Sequence, residues 1–103
     1  MIKHRDFYLA FVEFDDNGLP MEDKQIHAVD TLLSRLENAD ADAIMLVFVH
    51  GWQHNASFDD KHVIGFKDLL SDIRRFEGSL ANEQLRPERT VLGVYIGWRG
   101  KSW

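Results

Sequence analysis

Ile44-Met45-Leu46-Val47-Phe48-Val49-His50-Gly51-Trp52-Gln53-His54-Asn55 is the stretch on which the reading of this chain turns. Its first six residues are apolar, and four of these are β-branched or aromatic. A short run of this kind, closed by turn residues, predicts a strand buried on both faces, as in the middle of a parallel sheet. The run stops at His50-Gly51 and turns polar. Open α/β sheets bind ligands beyond the carboxyl ends of their strands. The stretch therefore predicts a central strand followed by a functional loop.

Working outward, the flanking segments alternate between the two regular periods. Upstream, Glu22 to Asn38 places Ile26, Val29, Leu32, Leu33 and Leu36 at helical spacing. Pro20, Glu22 and Asp23 suit the amino end of that helix, through a fixed φ and negative charge at the positive end of the dipole. Before it, Phe7 to Phe14 reads as a strand and ends in the turn cluster Asp15-Asp16-Asn17-Gly18. Downstream, Val63, Phe66, Leu69, Leu70, Ile73 and Phe76 give a second helix, roughly 60 to 77. Asp59 or Asp60 is its expected N-cap, and Gly78 its expected left-handed stop. Gly65, inside the helix, is expected to let it approach the sheet closely. Ser79 to Arg89 reads as a connection, and Thr90 to Gly97 as the last strand. The fold class expected is α/β, three-layered, with a mostly parallel sheet, flanking helices and the order strand-helix-strand-helix-strand. The Asn17-Gly18 turn leaves room for the first strand to lie antiparallel at an edge.

The chain has 103 residues, room for a single domain spanning 1–103. A chain of this size buries about 65% of its unfolded surface, enough for one core. The net charge of -5 provides no footprint for nucleic acid. The Arg74-Arg75 and Arg86 to Arg89 patches are short and mixed with Glu. No stretch approaches the ~20 apolar residues of a membrane span. The basic amino end runs into Glu13 and Asp15-Asp16 without a small-residue cleavage site, which reads as a strand and not a leader. There are no cysteines, so no disulfide, thiolate nucleophile or Cys-ligated zinc can form, and a reducing, cytoplasmic setting is expected.

The His-Gly junction carries a chemical rationale. Gly51 lets the backbone turn sharply, and the amides of Trp52 and Gln53 then point into the cleft at the strand's end. Two fixed donors there can stabilise an oxyanion forming on an ester carbonyl. The same junction also serves as a plain strand-to-helix turn without a ligand.

Taken further, Val47-Phe48-Val49-His50-Gly51-Trp52-Gln53-His54-Asn55-Ala56-Ser57 resembles the oxyanion-loop segment of α/β-hydrolase-fold serine hydrolases, closest to esterase- or lipase-like members with His-Gly-Trp and His-Asn-Ala. Phe11-Val-Glu-Phe-Asp-Asp16 and Val94-Tyr-Ile-Gly-Trp-Arg-Gly100 resemble the flanking segments of that group, so the likeness runs over nearly the whole chain. It implies a partial α/β-hydrolase fold in which 43–49 is the third strand, 60–77 the helix after it and 90–97 the fourth strand. It implies that the Trp52 amide is one oxyanion donor, with Gln53 a candidate second. His50, Gly51, His54 and Asn55 would shape the loop, and Trp98 is a candidate wall of the substrate pocket. The substrate class implied is a small-molecule carboxylic ester, with no cofactor and no metal.

The family's nucleophile is the serine of a Gly-x-Ser-x-Gly elbow, followed by an acid and a histidine. Here Ser34, Ser57, Ser71, Ser79 and Ser102 all lack that context, and the elbow is expected beyond Trp103. His50 and His54, which precede any such elbow, are not read as the catalytic base. The expectation is an amino-terminal segment, inactive alone, that supplies half of an oxyanion hole.

Three other constellations offer rival readings. His50, His54 and His62 with Asp59 and Asp60 offer metal-ligand types, but Gly51 breaks any common helical face and no His-Glu-x-x-His occurs. Gly100-Lys101-Ser102 is like the end of a phosphate loop, yet Tyr95 stands where that motif needs glycine. Glu13, within a strand, reads as exposed or paired and not as catalytic. The rival to an enzyme segment is a non-catalytic interaction domain, self-associating through an exposed sheet edge at the 90–97 strand.

Overall fold

The computed structural model describes residues 2–3, 7–15, 17–50 and 61–98. The elements are β1 (Ile2–Lys3), β2 (Tyr8–Phe14), α1 (Asp23–Asn38), β3 (Ala43–His50), α2 (Lys61–Gln84) and β4 (Thr90–Trp98). From β2 onward the order is strand-helix-strand-helix-strand, an α/β domain with three parallel strands and two helices.

The sheet order is β1-β2-β4-β3. This overturns three expectations. The apolar run is not the central strand; β4 is, inserted between β2 and β3. Nor does β2 lie antiparallel at an edge: it runs parallel to β4, and the antiparallel edge is the short β1. The 90–97 strand is correspondingly not the open edge. That place falls to β3, which pairs with β4 alone among the described strands.

Helices cover both faces. Phe7 and Leu9 of one face, with Val91 and Tyr95 of β4, pack on Val63, Phe66 and Leu70 of α2. On the other face, Ala10 and Val12 with Leu92 and Val94 pack on α1 through Leu32, flanked by Ile26, Val29 and Leu36. The period-two alternation of β2 and β4 thus feeds two apolar layers, one per helix. The same alternation shows why β3 is not buried on both faces. Its even-numbered residues reach the α2 layer and are half-buried, whereas α1 stops short of β3. Met45, Val47 and Val49 are left 49%, 52% and 65% exposed.

The predicted turn after β2 is present. Asp15 Oδ1 accepts from the amides of Asn17 and Leu19, at 2.9 Å each, and Gly18 has φ of +76°. A short side-chain acceptor and a residue free to take positive φ close this reversal. Both helices end in the same way, with one left-handed residue. Asp40 follows α1 and Leu85 follows α2, with φ of 53° and 54°. Each lets the next amide reach back five residues, Ala41 N–H to the Leu36 carbonyl and Arg86 N–H to the Ala81 carbonyl.

Gly78 is therefore not the stop that its sequence context predicts. The helix runs through it to Gln84, because Ala81 beyond it is buried and good helix formers follow. Ser79 to Gln84 is helix, and only 85–89 is a connection. Gly65 is not a close-packing site either: a Cβ there would meet open space. Gly93, in β4, is the glycine that admits α2 to the sheet. A Cβ at Gly93 would run into Leu70 Cδ1 and lie 3.0 Å from both Leu70 Cδ2 and Phe66 Cε2. Leu70 is itself fully buried. Gly93→Ala is expected to destabilise the domain by about 1–3 kcal/mol through overpacking, read as a lower urea midpoint. An unchanged midpoint would contradict the close seating of α2.

Candidate functional site at the carboxyl end of the sheet

The register brings the three parallel strands to a common finish. Phe14 pairs with Trp98 at the ends of β2 and β4, and His50 at the end of β3 pairs with Gly97. The connection from β3 to α2 leaves from this edge, and α2 begins again beside it at Lys61. Gly51, Trp52, Gln53, His54 and Asn55, the residues that carry the oxyanion reading, lie outside the described residues, as do Asp59 and Asp60. Of the sequence-designated residues, His50 is described in full, and Trp98 as the last backbone position of β4.

His50 is held by an aromatic stack on the α2 side of the sheet. Alternation puts Phe48 and His50 on one face of β3. The His50 ring lies 6.1 Å from that of Phe48 and 6.3 Å from that of Tyr95, stacked on both. Phe48 in turn stacks on Tyr95 at 5.3 Å and meets Phe66 at 5.6 Å. The ring of His62, in the first turn of α2, is 4.2 Å from that of His50. The two imidazoles thus flank the departure and return of the 51–60 connection. Of the two, His50 rests on Tyr95, which is buried. Sequence reasoning considered His62 only as a metal ligand and did not foresee Tyr95 beneath His50. Finding it requires knowing that β4 lies next to β3, which local patterning does not reveal.

Glu13, near the end of β2, is paired. Its amide donates to Gln25 Oε1 at 2.9 Å, and its Oε1 accepts from Gln25 Nε2 at 3.2 Å. This reciprocal pair ties β2 to the first turn of α1 and gives Glu13 a structural task. Among the described residues, no group of three or more His, Asp or Glu side chains is placed to hold a metal ion. None of the described helices is long and apolar enough to cross a membrane.

Among the described residues, the strongest electrostatic feature lies elsewhere. Glu77 of α2 is 3% exposed, and its carboxylate accepts five hydrogen bonds. Arg86 supplies Nη1 at 2.7 Å and Nη2 at 3.0 Å. Arg89 supplies its backbone N–H at 2.7 Å, Nε at 3.2 Å and Nη2 at 2.9 Å. The side-chain bonds from Arg86, then those from Arg89 and its amide, hold the Glu77 carboxyl far below the usual carboxylate range. The same bond raises the pKa of the Arg86 guanidinium. A cleft of about 610 Å³ opens beside this cluster, lined by Asp40, Asp42, Leu80, Arg86 and Arg89 among others. It sits at the amino ends of β3 and β4, the wrong end for the ligands of a parallel sheet, and Glu77 already engages both of its arginines. We assign the cluster to the architecture, where it locks the end of α2 onto the strand that follows.

Comparison of the chain with protein-family models, with curated proteins and with solved structures gives no match.

Proposed function

We propose that the chain is the amino-terminal part of an α/β-hydrolase-fold serine hydrolase acting on carboxylic esters, and that the backbone amide of Trp52 forms half of its oxyanion hole. The observation that carries this reading is the position of the β3–α2 connection. In such enzymes one oxyanion donor comes from the loop between the third strand and the helix that follows it. Here the third strand ends at His50, level with its parallel neighbours, and His50-Gly51-Trp52 opens that connection. The likeness of this segment to the oxyanion loop of esterase- and lipase-like proteins supplies the substrate class.

In the reaction proposed, a serine oxygen attacks the ester carbonyl carbon and the C=O electron pair moves onto oxygen. The Trp52 N–H stabilises that oxyanion. The pair then collapses, the C–O bond to the alcohol breaks, the base that took the serine's proton returns it to the departing oxygen, and water later releases the acid from the acyl-serine. His50 and His62 hold the ends of the loop and do not transfer the proton. The serine, its base and its acid belong to a Gly-x-Ser-x-Gly elbow and later segments that these 103 residues do not contain.

Two results follow. The 103-residue chain alone is expected to show no turnover of p-nitrophenyl esters above buffer. Turnover abolished by a serine-directed phosphonate would place a nucleophile within the chain and sink this assignment. The coding sequence downstream of Trp103 is expected to encode Gly-x-Ser-x-Gly after another buried strand.

A further inference from the structure

We infer that His50 and His62 form a two-histidine site for a borderline divalent metal ion such as Zn²⁺, at the root of the 51–60 connection. The inference goes beyond the esterase reading and does not rest on it.

The fold brings the two side chains together from different elements. One stands at the end of β3 and the other in the first turn of α2, twelve residues apart in the chain. No shared helical face is needed, so the break at Gly51 is no obstacle. Their ring centroids are 4.2 Å apart, against 5.3–6.3 Å between rings in the stack of Phe48, His50, Phe66 and Tyr95. Two imidazoles bound side by side to one ion at ~2.1 Å have centroids roughly 4.6–5.3 Å apart. The pair therefore opens by about 0.4–1.1 Å to admit an ion, within the reach of small turns about the side-chain torsions.

The tilt of the rings is also suited to an ion. An imidazole lone pair lies in the ring plane, so two rings share an ion only where their planes meet. Parallel stacked rings have no such meeting line. The planes of His50 and His62 cross at 49°.

Both ligands sit on anchored backbone. The His50 ring lies on that of Tyr95 at an interplanar angle of 13°, and Tyr95 is fully buried. His62 precedes Val63, whose full burial pins the first turn of α2. Ligands held in place beforehand lose little freedom when an ion joins them. The two histidines themselves are half-buried, which leaves the ion a path from water. Metal-bound histidines commonly give their second ring nitrogen to the protein, so the other contacts that both side chains make are compatible with this role.

The donor set selects the ion. Imidazole nitrogen suits Zn²⁺, Ni²⁺ and Cu²⁺, whereas Mg²⁺ and Ca²⁺ take oxygen ligands. Among the described residues no third His, Asp or Glu completes the set, so water fills the remaining positions. The apparent binding energy of four-ligand zinc sites, halved for two ligands, corresponds to a Kd of roughly 1–200 µM near pH 7. A bound ion ties the end of β3 to the start of α2.

The test is titration of Zn²⁺ into the 103-residue chain by isothermal calorimetry, with Mg²⁺ as the control ion. One Zn²⁺ per chain with a Kd in that range, and no binding of Mg²⁺, is the expected result. His50→Phe keeps a ring on Tyr95 but removes both nitrogens, and His62→Ala removes the second ligand. Each is expected to weaken Zn²⁺ binding at least about tenfold. His27→Ala, on the exposed surface of α1, is expected to leave it unchanged. Far-UV circular dichroism verifies that the variants are folded. Should one fail to fold, the imidazole resonances of the wild-type chain decide: those of His50 and His62 are expected to shift together as Zn²⁺ is added, and those of His27 to stay. A Kd above about 1 mM would overturn the proposal. So would Zn²⁺ binding that survives both His50→Phe and His62→Ala, or that leaves the resonances of both rings in place.

Discussion

Replacing Glu77 with alanine is expected to lower the melting temperature of the domain by about 10–20 °C, more than any other single surface-distant charge change in the chain. The substitution deletes a buried acceptor of five hydrogen bonds and leaves Arg86 and Arg89 facing each other without their common counter-ion. Breaking a buried ion pair by removing one partner is strongly destabilising, because the remaining charge stays desolvated. The cluster also spans α2, the 85–89 connection and the start of β4, so its loss frees the join between two core elements. Glu77→Gln keeps the shape and one acceptor oxygen but turns an amide towards the arginines, and is expected to fall between wild type and Glu77→Ala. The pH dependence has a definite direction. The folded pKa of Glu77 lies below its unfolded value near 4.5. Its contribution is complete above that value and is lost as pH falls below it towards the lowered folded pKa. The gap in melting temperature between wild type and Glu77→Ala is therefore expected to be constant near neutrality and to narrow below about pH 4.5. A gap that stays constant into strong acid, or a variant that melts with wild type at pH 7, would contradict the clamp.

Why this cluster escaped sequence reasoning is physically plain. Glu77, Arg86 and Arg89 are nine and twelve residues apart across a helix end and a proline, and mixed charges in such a segment read as solvated surface. Only the return of the chain at Leu85 brings them together. The fold itself was legible where local period and composition decide: the helical spacing of Ile26, Val29, Leu32 and Leu36, the turn at Asp15 to Gly18, and the strand character of 44–49. The pairing order was not. An apolar residue at every position from Ala43 to Val49 suggests burial on both faces, but the insertion of β4 between β2 and β3, a long-range event, leaves Met45, Val47 and Val49 outside. Gly78 was misjudged for a related reason: glycine's helix cost of about 1 kcal/mol is outweighed when the turn beyond it has buried Ala81 to pack. At the candidate site, the strand's end was legible to within one residue: 43–49 was expected, and β3 runs on to His50. The bed of His50, formed by Phe48, Tyr95 and His62, depends on the same non-local order.

The second large effect concerns catalysis. In the hydrolase proposed, where this chain is joined to a Gly-x-Ser-x-Gly elbow, the Trp52 N–H would stabilise charge that exists only in the transition state. Such a donor contributes to kcat and hardly to ground-state binding. The side chain of Trp52 is a separate matter: Trp52→Ala keeps the N–H, and its effect is expected to stay within about tenfold, chiefly in KM. Trp52→Pro removes the N–H itself.

The direct measurement is steady-state hydrolysis of a p-nitrophenyl ester by that protein and by its Trp52→Pro variant, with labelling by a serine-directed phosphonate as a parallel count of intact nucleophile. The expected result is a fall in kcat of about 100- to 1000-fold with KM within a few-fold and the serine still labelled. A Trp52→Pro enzyme with wild-type kcat, or a protein in which no serine reacts and no ester is turned over, would contradict the assignment of the β3–α2 loop as an oxyanion site.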